Sequence, residues 1–312
     1  MDSPSRVVEA DAREFLEAHL GRPVEDVSLV GEGAWSRCFG FRDRGDDRVV
    51  RFGRFVDDFE NDRLASNFAS PGLPVPRLLE IGRAFDAWFA ISERVFGEPL
   101  ETLPAEGWQA VVPSLFAALD AMRTTDLSGS RGYGGWDATG DAPQREWREF
   151  LLAVDRDAPD RRTHGWRSRL REAAGGDAMF RAGYAKLAAR VDAVPSDRHL
   201  VHGDLINRNV VVHDDAISGV FDWGCSLYGD FLYDLAWLEF WSPWHPGMAR
   251  LDLCARAREH YAAIGLDVPD LDARLRVCML HIGLDHLAYN AWAQQPDALA
   301  EVTEAMRPLL DD

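Results

Sequence analysis

The sequence predicts an α+β fold of two lobes, a small β-rich N-terminal lobe followed by a larger, mainly helical C-terminal lobe. Two observations lead to this prediction. Short strand-like runs cluster between residues 27 and 95, and helical patterns dominate from residue 97 onward. With 312 residues, of which 46% are hydrophobic, the chain can bury a substantial core. We expect the N-lobe to cover residues 1–96 and the C-lobe residues 97–312.

The elements of the N-lobe follow from its patterning. Apolar residues at helical spacing over 5–20, with a glycine and a proline just beyond, predict a helix. The runs VSLV, RCFGFR and RVVRFGR, separated by GEGAWS and DRGDD, predict three antiparallel strands. A helix is expected at about 58–69, before a Pro-Gly pair. The stretch 73–95 then predicts two more strands with a turn near residues 83–86.

The C-lobe is predicted to be helical with one interruption. WQAVVPSLFAALDAMRTT and GYAKLAARVDAV have helical texture, whereas LVHGDLINRNVVVHDDAISGVFDW predicts a loop and a hairpin of short strands. Residues 126–146 are glycine-rich and long for a loop, which indicates either an ordered excursion or a lid.

Composition limits the partners. With 34 Lys+Arg against 52 Asp+Glu the formal charge is -18, so nucleic acid and anionic membranes would be repelled and a cationic ligand attracted. The same acidity would also serve solubility. No apolar run is long enough to span a bilayer, and the N-terminus is too acidic for a signal peptide. Four scattered cysteines without a C-x-x-C pair fit a reducing compartment. We expect a cytoplasmic monomer.

The residues with the strongest chemical signal lie between positions 202 and 223. His202-Gly203-Asp204 is followed by Asn209 and, after two apolar strands, by Asp222. Phosphoryl transfer needs a carboxylate that orients and deprotonates the attacking hydroxyl, and oxygen ligands for Mg²⁺. Asp204 fits the first role. Asn209 and Asp222 fit the second, because a hairpin would bring them together. Singly these are ordinary turn and strand-end residues, but the ordered set indicates function.

This block resembles the catalytic loop of the aminoglycoside phosphotransferase and choline kinase-like family, relatives of the protein kinases. Within that group the sequence is most similar to hygromycin B phosphotransferases, through GEGAWSRCFGF, FASPGLPVPRLLEIG, DLSGSRGYGG, EFWSPW and HIGLDHL. The resemblance implies a protein-kinase-like bilobal fold, with Asp204 as catalytic base and Asn209 and Asp222 as Mg²⁺ ligands. It also implies ATP or GTP as the phosphoryl donor.

The resemblance and the sequence together predict a nucleotide site in the N-lobe. Gly31, Gly33 and Ser36 belong to a glycine-containing loop between two strands, where backbone N–H groups and a hydroxyl can approach phosphates. Such turns also join many ordinary hairpins. The segment SERV resembles the hinge that binds adenine through the backbone of Glu93 and Val95.

One position departs from the kinase pattern. Arg51 occupies the place where kinases carry the phosphate-pairing lysine, and the only lysine of the chain is Lys186. Arginine can pair phosphate oxygens but differs from lysine in bulk and geometry. We expect its acidic partner to be Glu60, with Asp62 as the alternative. Arg51 could also be a surface residue of an edge strand.

The acceptor pocket is expected on the helical lobe beyond the metal site. Acidic side chains would pair with ammonium groups, and tryptophan faces would contact cations and sugar C–H surfaces. The acids could equally be salt-bridged surface groups and the tryptophans core residues. The second acid of GDFLYDL, Asp234, is expected to brace the catalytic loop, as is His202. The candidates for the acceptor are Asp230, Glu239, Trp241, Trp244 and Asp285.

These observations predict an aminoglycoside (hygromycin B-like) O-phosphotransferase that confers antibiotic resistance by modifying a small cationic, hydroxylated substrate. Three alternatives stay open. The first is a metabolic kinase of the same fold acting on choline, an amino-sugar, a macrolide or homoserine. The second is a nucleotide-binding pseudoenzyme, suggested by the missing lysine. The third is an interaction protein without enzymatic activity.

Overall fold

The N-terminal lobe is built on a five-stranded antiparallel sheet with the strand order β1-β2-β3-β5-β4. The computed structural model describes residues 7–33, 35–173 and 175–311. Each predicted strand of the lobe is present, and a tight turn at Phe85 and Asp86 joins the last two. The strands are β1 (Glu25–Glu32), β2 (Ser36–Asp43), β3 (Asp46–Gly53), β4 (Leu78–Ala84) and β5 (Ala87–Glu93).

Two helices accompany this sheet, α1 (Glu9–Leu20) and α2 (Val56–Ala65). Helix α1 buries Ala12 and Leu16 in a core shared with the phenylalanines of the sheet. The predicted start at residue 5 lies outside the described residues, and Val8 is extended. The helix begins at Glu9 because the Asp11 carboxylate accepts the N–H of Val8 and caps that end. The predicted helix 58–69 is α2 plus a short 3-10 turn.

The C-terminal lobe is mainly helical, as predicted. Its longest helix, α9, is apolar and buried around most of its circumference, because other helices pack around it. The helices are α3 (Ala105–Arg123), α4 (Trp147–Leu152), α5 (Trp166–Glu172), α6 (Gly176–Arg190), α7 (Leu232–Trp241), α8 (Leu253–Ala263), α9 (Leu271–Ala293) and α10 (Pro296–Leu310).

Two small sheets are embedded in this lobe, with strand orders β10-β9-β6 and β7-β11-β8. The predicted hairpin is the pair β9–β10. The glycine-rich stretch 126–146 is an ordered excursion rather than a lid, because β7 pairs with β11 and Tyr133 bridges to Gln144. The strands are β6 (Glu98–Pro99), β7 (Gly134–Gly135), β8 (His199–Val201), β9 (Val210–His213), β10 (Ala216–Val220) and β11 (Leu227–Gly229).

A β-rich lobe followed by a helical lobe confirms the α+β class. The division at residues 96/97 stays a prediction; it falls between β5, the last strand of the first sheet, and β6, which pairs with β9 of the helical lobe. Within the described ranges, none of the helices combines the length and the apolar character needed to cross a bilayer.

Candidate functional site

A cavity of about 510 Å³ lies between the N-lobe sheet and the segment of residues 207–223. Its volume is typical of a pocket for a cofactor-sized ligand. The glycine-containing loop, strand β3, the segment after β5 and the hairpin β9–β10 all contribute to its wall. The predicted site residues that line it are Gly31, Gly33, Ser36, Arg51, Glu93, Val95, Asn209 and Asp222.

The hairpin brings Asn209 and Asp222 to the same end of this cavity. Val210 pairs with Val220, and one step further the N–H of Phe221 donates to the carbonyl of Asn209 at 2.9 Å. Asp222 follows with left-handed backbone (φ 64°), which ends the strand pairing. The expectation that the hairpin brings these two positions close together is confirmed.

The Asp204 carboxylate is held by two amide side chains. Its Oδ1 accepts from Nδ2 of Asn207 at 2.7 Å, and its Oδ2 accepts from Nδ2 of Asn209 at 3.0 Å. Burial raises the pKa of Asp204 to about 7, with Asp222 adding to the rise and the Asn207 hydrogen bond opposing it. A carboxyl group that titrates near neutrality suits a general base.

The loop between these residues has an uncommon backbone. Asn207 and Arg208 both have a φ of 66°, a left-handed conformation that non-glycine residues rarely adopt. Glu101, from the start of the helical lobe, stabilises this turn because its Oε1 accepts the N–H of Arg208 at 2.6 Å. Sequence reasoning missed these contributions, since neither Asn207 nor Glu101 stands out without the loop geometry.

Buried polar groups brace the loop from behind, as expected for Asp234 and His202. The Asp234 oxygens accept the N–H groups of His202 at 2.9 Å and Gly203 at 2.8 Å. Burial lowers the pKa of His202 to about 4, so the ring is neutral. Its Nδ1 accepts the N–H of Asp204, and its Nε2 donates to the carbonyl of Phe221. Gly203 has a φ of +77°, and a Cβ there would lie 2.7 Å from the carbonyl oxygen of Cys225.

Arg51 points into the cleft and joins two carboxylates. Nη1 lies 3.0 Å from Oδ1 of Asp222, Nη2 binds Asp62, and the guanidinium stacks 4.6 Å from the ring centre of Phe59. Burial alone would lower the pKa of Arg51, but the carboxylates of Asp62 and Asp222 outweigh it and raise the pKa. Arg51 is therefore a charged site residue rather than a surface residue.

The prediction that Glu60 pairs with Arg51 is wrong, and the alternative partner, Asp62, is the one that contacts Arg51. Glu60 pairs with Arg63 on its own helix instead. Positions two apart lie about 200° apart around a helix, so only one of the two acids can face Arg51. Asp62 also accepts the N–H of Trp223 at 2.8 Å, which ties α2 to the turn after Asp222.

The donor set of the predicted metal site fits Mg²⁺. The amide nitrogen of Asn209 is bonded to Asp204, so its oxygen is the atom left to bind a cation. Asp222 uses Oδ1 for Arg51, and its side chain keeps 49% exposure. No group of three or more His, Cys, Asp or Glu side chains in the described ranges is arranged as an all-protein metal cage. Mg²⁺ commonly takes one or two protein oxygens together with phosphate and water.

The segment predicted to be a hinge lines the cavity, and only part of its backbone is engaged in hydrogen bonds among the described residues. Glu93 donates its N–H to the carbonyl of Arg77 at 3.1 Å, and Arg94 donates to Asp47 at 3.2 Å. The N–H of Val95 makes no backbone hydrogen bond to any residue in the described part of the chain. An uncommitted backbone donor beside a cavity is suited to a ligand acceptor.

Two acids predicted to bind the acceptor make structural contacts, and burial excludes one of them, Asp230, from the acceptor site. Asp230 is fully buried and forms a two-point ion pair with Arg274 at 2.7 and 2.9 Å, so it cannot face a substrate. Glu239 is half-buried, and its Oε1 accepts the N–H of Cys254 at 2.8 Å at the start of α8. Its carboxylate stabilises that helix end.

The two tryptophans predicted for the acceptor pocket are half-buried in one aromatic group. Trp241 and Trp244 have ring centres 5.3 Å apart, and Trp241 meets His286 edge-on at 4.7 Å. The indole nitrogen of Trp241 is buried without a hydrogen-bond partner within the described residues. The neighbouring Trp237 is buried. Because Trp241 and Trp244 are only half-buried, both remain partly exposed at the lobe surface.

A further acid, Asp58, lies beside the phosphate end of the cleft, because it lines one small cavity together with Arg51 and Asp222. Burial raises the pKa of the Cys225 thiol, and the charges of Asp204, Asp222, Asp285 and Asp58 raise it further. Asp285, predicted for the acceptor, is thus one of the acids that act on this thiol. Asp58 was missed by sequence reasoning, although it lies four residues before Asp62 and therefore on the same face of α2.

Comparisons with known proteins agree with this arrangement. The phosphotransferase enzyme family matches residues 18–266. Hygromycin-B 4-O-kinase of Escherichia coli is 32% identical over 284 residues, which cover 87% of this chain and 79% of that protein. A thermostable mutant of aminoglycoside phosphotransferase APH(4)-Ia, in ternary complex with AMP-PNP and hygromycin B, has 30% identity and a TM-score of 0.83, over 96% of this chain and 97% of that chain. Another such structure, with ADP and hygromycin B, has 30% identity and a TM-score of 0.82 over the same shares. The resemblance and the bilobal fold predicted from the sequence are confirmed.

Proposed function

The chain belongs to the phosphotransferase enzyme family, and on this basis we propose that it is an aminoglycoside O-phosphotransferase. It would transfer the γ-phosphoryl group of a nucleotide to a hydroxyl of a hygromycin B-like acceptor and so confer resistance to the antibiotic. The observation that carries this proposal is the position of Asp204, whose carboxylate is held by Asn207 and Asn209. Both of these amides line the nucleotide-sized cavity, together with Arg51 and Asp222.

The donor site is proposed for the cavity between the lobes. Gly31 and Gly33 would let the phosphates approach the backbone of the loop, and Ser36 would donate its hydroxyl; the N–H of Gly33 itself donates to the carbonyl of Ser36 at 2.9 Å. The backbone of Glu93 and Val95 would bind the base. The structures of relatives with AMP-PNP and ADP support a nucleotide donor. We propose ATP or GTP.

The chemical roles follow from the contacts. Asp204 would orient the acceptor hydroxyl and take its proton, which its raised pKa favours at neutral pH. Arg51 would stabilise charge on the transferring group, since its guanidinium already lies against Asp222 at the cavity end. Mg²⁺ held by Asn209 and Asp222 would neutralise phosphate charge.

The acceptor would bind on the helical-lobe side of Asp204. Asp285 would contribute negative charge there, and Trp241 and Trp244 offer aromatic surface. A combination of acids and indoles suits a polycationic sugar better than a choline-type aromatic box with few acids. The charge of -18 is compatible with a cationic acceptor.

We further propose that the enzyme acts as a monomer in the cytoplasm. Each side chain assigned above comes from one chain, so the site needs no second copy. The four cysteines are free, which fits a reducing compartment.

The test is an ADP-release assay with hygromycin B, other aminoglycosides, choline and a macrolide, combined with mass spectrometry of the acceptor. Asp204→Asn should lower kcat by about 10²- to 10⁴-fold, because the base is lost while the side chain keeps its size. Asp214→Asn is the matched control, since Asp214 is exposed in the turn of the hairpin β9–β10.

Phosphorylated hygromycin B from the wild type and the control, but not from Asp204→Asn, is the expected outcome. Turnover with choline or the macrolide alone would favour the metabolic-kinase alternative. Nucleotide binding without turnover of any acceptor would favour the pseudoenzyme.

A further inference from the structure

The glycine-containing loop is attached to the opposite lobe by a stacked pair of tryptophans. Trp35, next to Ser36 at the end of this loop, stacks on Trp292 of α9 with ring centres 5.4 Å apart and an angle of 29°. Phe55, just before α2, meets the same indole edge-on at 5.4 Å. The loop is therefore tethered to a helix of the C-lobe as well as to its own sheet.

A second contact between the lobes lies beside this pair. The guanidinium of Arg162, from the segment between α4 and α5, lies 4.0 Å above the ring of Phe55 and pairs with Asp58 at 2.8 Å. Phe55 thus contacts both Trp35 and Arg162, so the loop, the start of α2 and the helical lobe form one contact group.

This contact group borders the phosphate end of the cleft. A small cavity of about 60 Å³ is lined by Trp35, Phe55 and Asp58 on one side and by Arg51 and Asp222 on the other. Arg51 and Asp222 also line the main cavity. The stacked pair therefore lies next to the charged residues at the end of the cleft where the phosphoryl group would be transferred.

From Trp292 the aromatic surface continues along α9 toward the catalytic loop. Tyr289 lies 6.0 Å from Trp292 and 6.5 Å from His286, which in turn meets Trp241. Burial raises the pKa of Tyr289, and the charges of Cys225 and Asp204 raise it further. The stack thus joins the phosphate loop to the acceptor side of the site.

We propose that Trp35 is a positioning residue for the transfer: stacked on Trp292, it holds the glycine-containing loop over the phosphate end of the cleft and keeps water from that side. The role of the stack rests on the proposed function. Gly31 and Gly33 have no side chains that could fix the loop to its surroundings, so the stack on Trp292 adds an anchor to the hydrogen bond from the Gly33 N–H to the carbonyl of Ser36 at 2.9 Å. An aromatic pair shifts such an equilibrium by about 2- to 12-fold, and a closed site limits hydrolysis of the donor.

The experiment compares Trp35→Ala, Trp35→Phe, Trp292→Ala and the double alanine variant with the wild type. Trp88→Ala is the matched control, since Trp88 is a half-buried tryptophan of strand β5 that stacks with Arg83. The readouts are kcat and KM with hygromycin B and Mg-ATP, and the ratio of ADP released to acceptor phosphorylated.

For Trp35→Ala we expect kcat to fall by about 2- to 12-fold, KM for the acceptor to change less, and the ADP-to-product ratio to rise above that of the wild type. Trp35→Phe should restore most of kcat. The loss in the double variant should be smaller than the sum of the two single losses, because both substitutions remove the contact between Trp35 and Trp292. Additive losses, or a Trp35→Ala variant with the kcat and ratio of Trp88→Ala, would overturn the proposal.

A second measurement does not depend on the acceptor. Amide hydrogen exchange of residues 31–36 is recorded with Mg-AMP-PNP alone, and Trp292→Ala should speed this exchange by about 2- to 12-fold. Unchanged exchange would show that the stack does not hold the loop. If exchange rises but the wild type phosphorylates no aminoglycoside, the anchor stands and the proposed function fails.

Discussion

Replacement of Arg51 by lysine tests the most unusual feature of the site. The guanidinium of Arg51 binds Asp62 and Asp222 at once and stacks on Phe59. A lysine keeps the positive charge but has a compact ammonium group that cannot form the same two-armed contact. Arg51→Lys therefore restores the residue type common in kinases in surroundings shaped for arginine.

The size of the effect follows from the exposure of the partners. The side chains of Arg51 and Asp62 are 13% and 17% exposed, so their pair is largely removed from water, whereas Asp222 is 49% exposed and its pair is screened. A hydrogen bond between charged groups contributes about 1.5–3 kcal/mol when protected. Loss of one arm should cost about 1–3 kcal/mol, which corresponds to about 5- to 150-fold in kcat/KM if the contact matters in the transition state.

The assay measures kcat/KM for Mg-ATP together with the free energy of unfolding in urea. Arg48→Lys is the matched control, because Arg48 lies on the same strand and pairs at 2.6 Å with Asp46, which is 65% exposed. That surface pair contributes at most about 1 kcal/mol. An Arg51→Lys variant with kcat/KM and stability equal to those of Arg48→Lys would refute the reasoning that the two-armed contact positions the phosphate-binding cation.

Three further predictions concern buried groups. Asp234→Asn replaces one of the two oxygens that accept the N–H groups of His202 and Gly203 by a donor. It should lower the free energy of unfolding by about 1–3 kcal/mol and lower kcat. Unfolding in urea and steady-state kinetics measure these effects, and an unchanged kcat would contradict the bracing role. Arg274→Met leaves the buried Asp230 carboxylate unpaired and should lower the free energy of unfolding by about 3–5 kcal/mol; unchanged stability with a raised acceptor KM would restore the substrate role of Asp230. Burial lowers the pKa of His281 to about 4, below the value of about 6.5 in the unfolded chain, so the unfolded state binds the proton first. This group's contribution is lost as pH falls from about 6.5 toward 4, by about 3 kcal/mol in full. The free energy of unfolding in urea, measured at pH 7 and at pH 5, should therefore fall less for His281→Gln than for the wild type. Buried carboxylates with raised pKa change stability in the opposite direction, but they are present in both proteins and cancel in the comparison. An equal fall in both proteins would contradict the prediction.

The sequence by itself determined the lobe order, the strands of the first sheet and the hairpin, and it predicted Asp204, Asn209 and Asp222 as the catalytic set. These features depend on local patterns: alternation, turn residues, and the short spacing that puts Asn209 and Asp222 at adjacent ends of one hairpin. The bracing role of Asp234 was also predicted, from its place in GDFLYDL, and its two bonds to the loop confirm it.

The tertiary structure alone decided which polar groups meet across the chain. Whether Glu60 or Asp62 faces Arg51 depends on the rotation of α2, which is set by packing on the turn after Asp222. Asp230 is buried because Arg274, on a distant helix, reaches it. Such contacts are fixed by how whole elements pack, and the identity of neighbours along the chain carries no signal of them.

The same reason explains why the stack of Trp35 on Trp292 was not predicted. Each residue by itself is an ordinary aromatic side chain, in a loop and near the end of a helix respectively. Their meeting requires both lobes to be folded and placed face to face. The sequence thus specifies the chemistry of the site, and the packing of the lobes decides which residues position it.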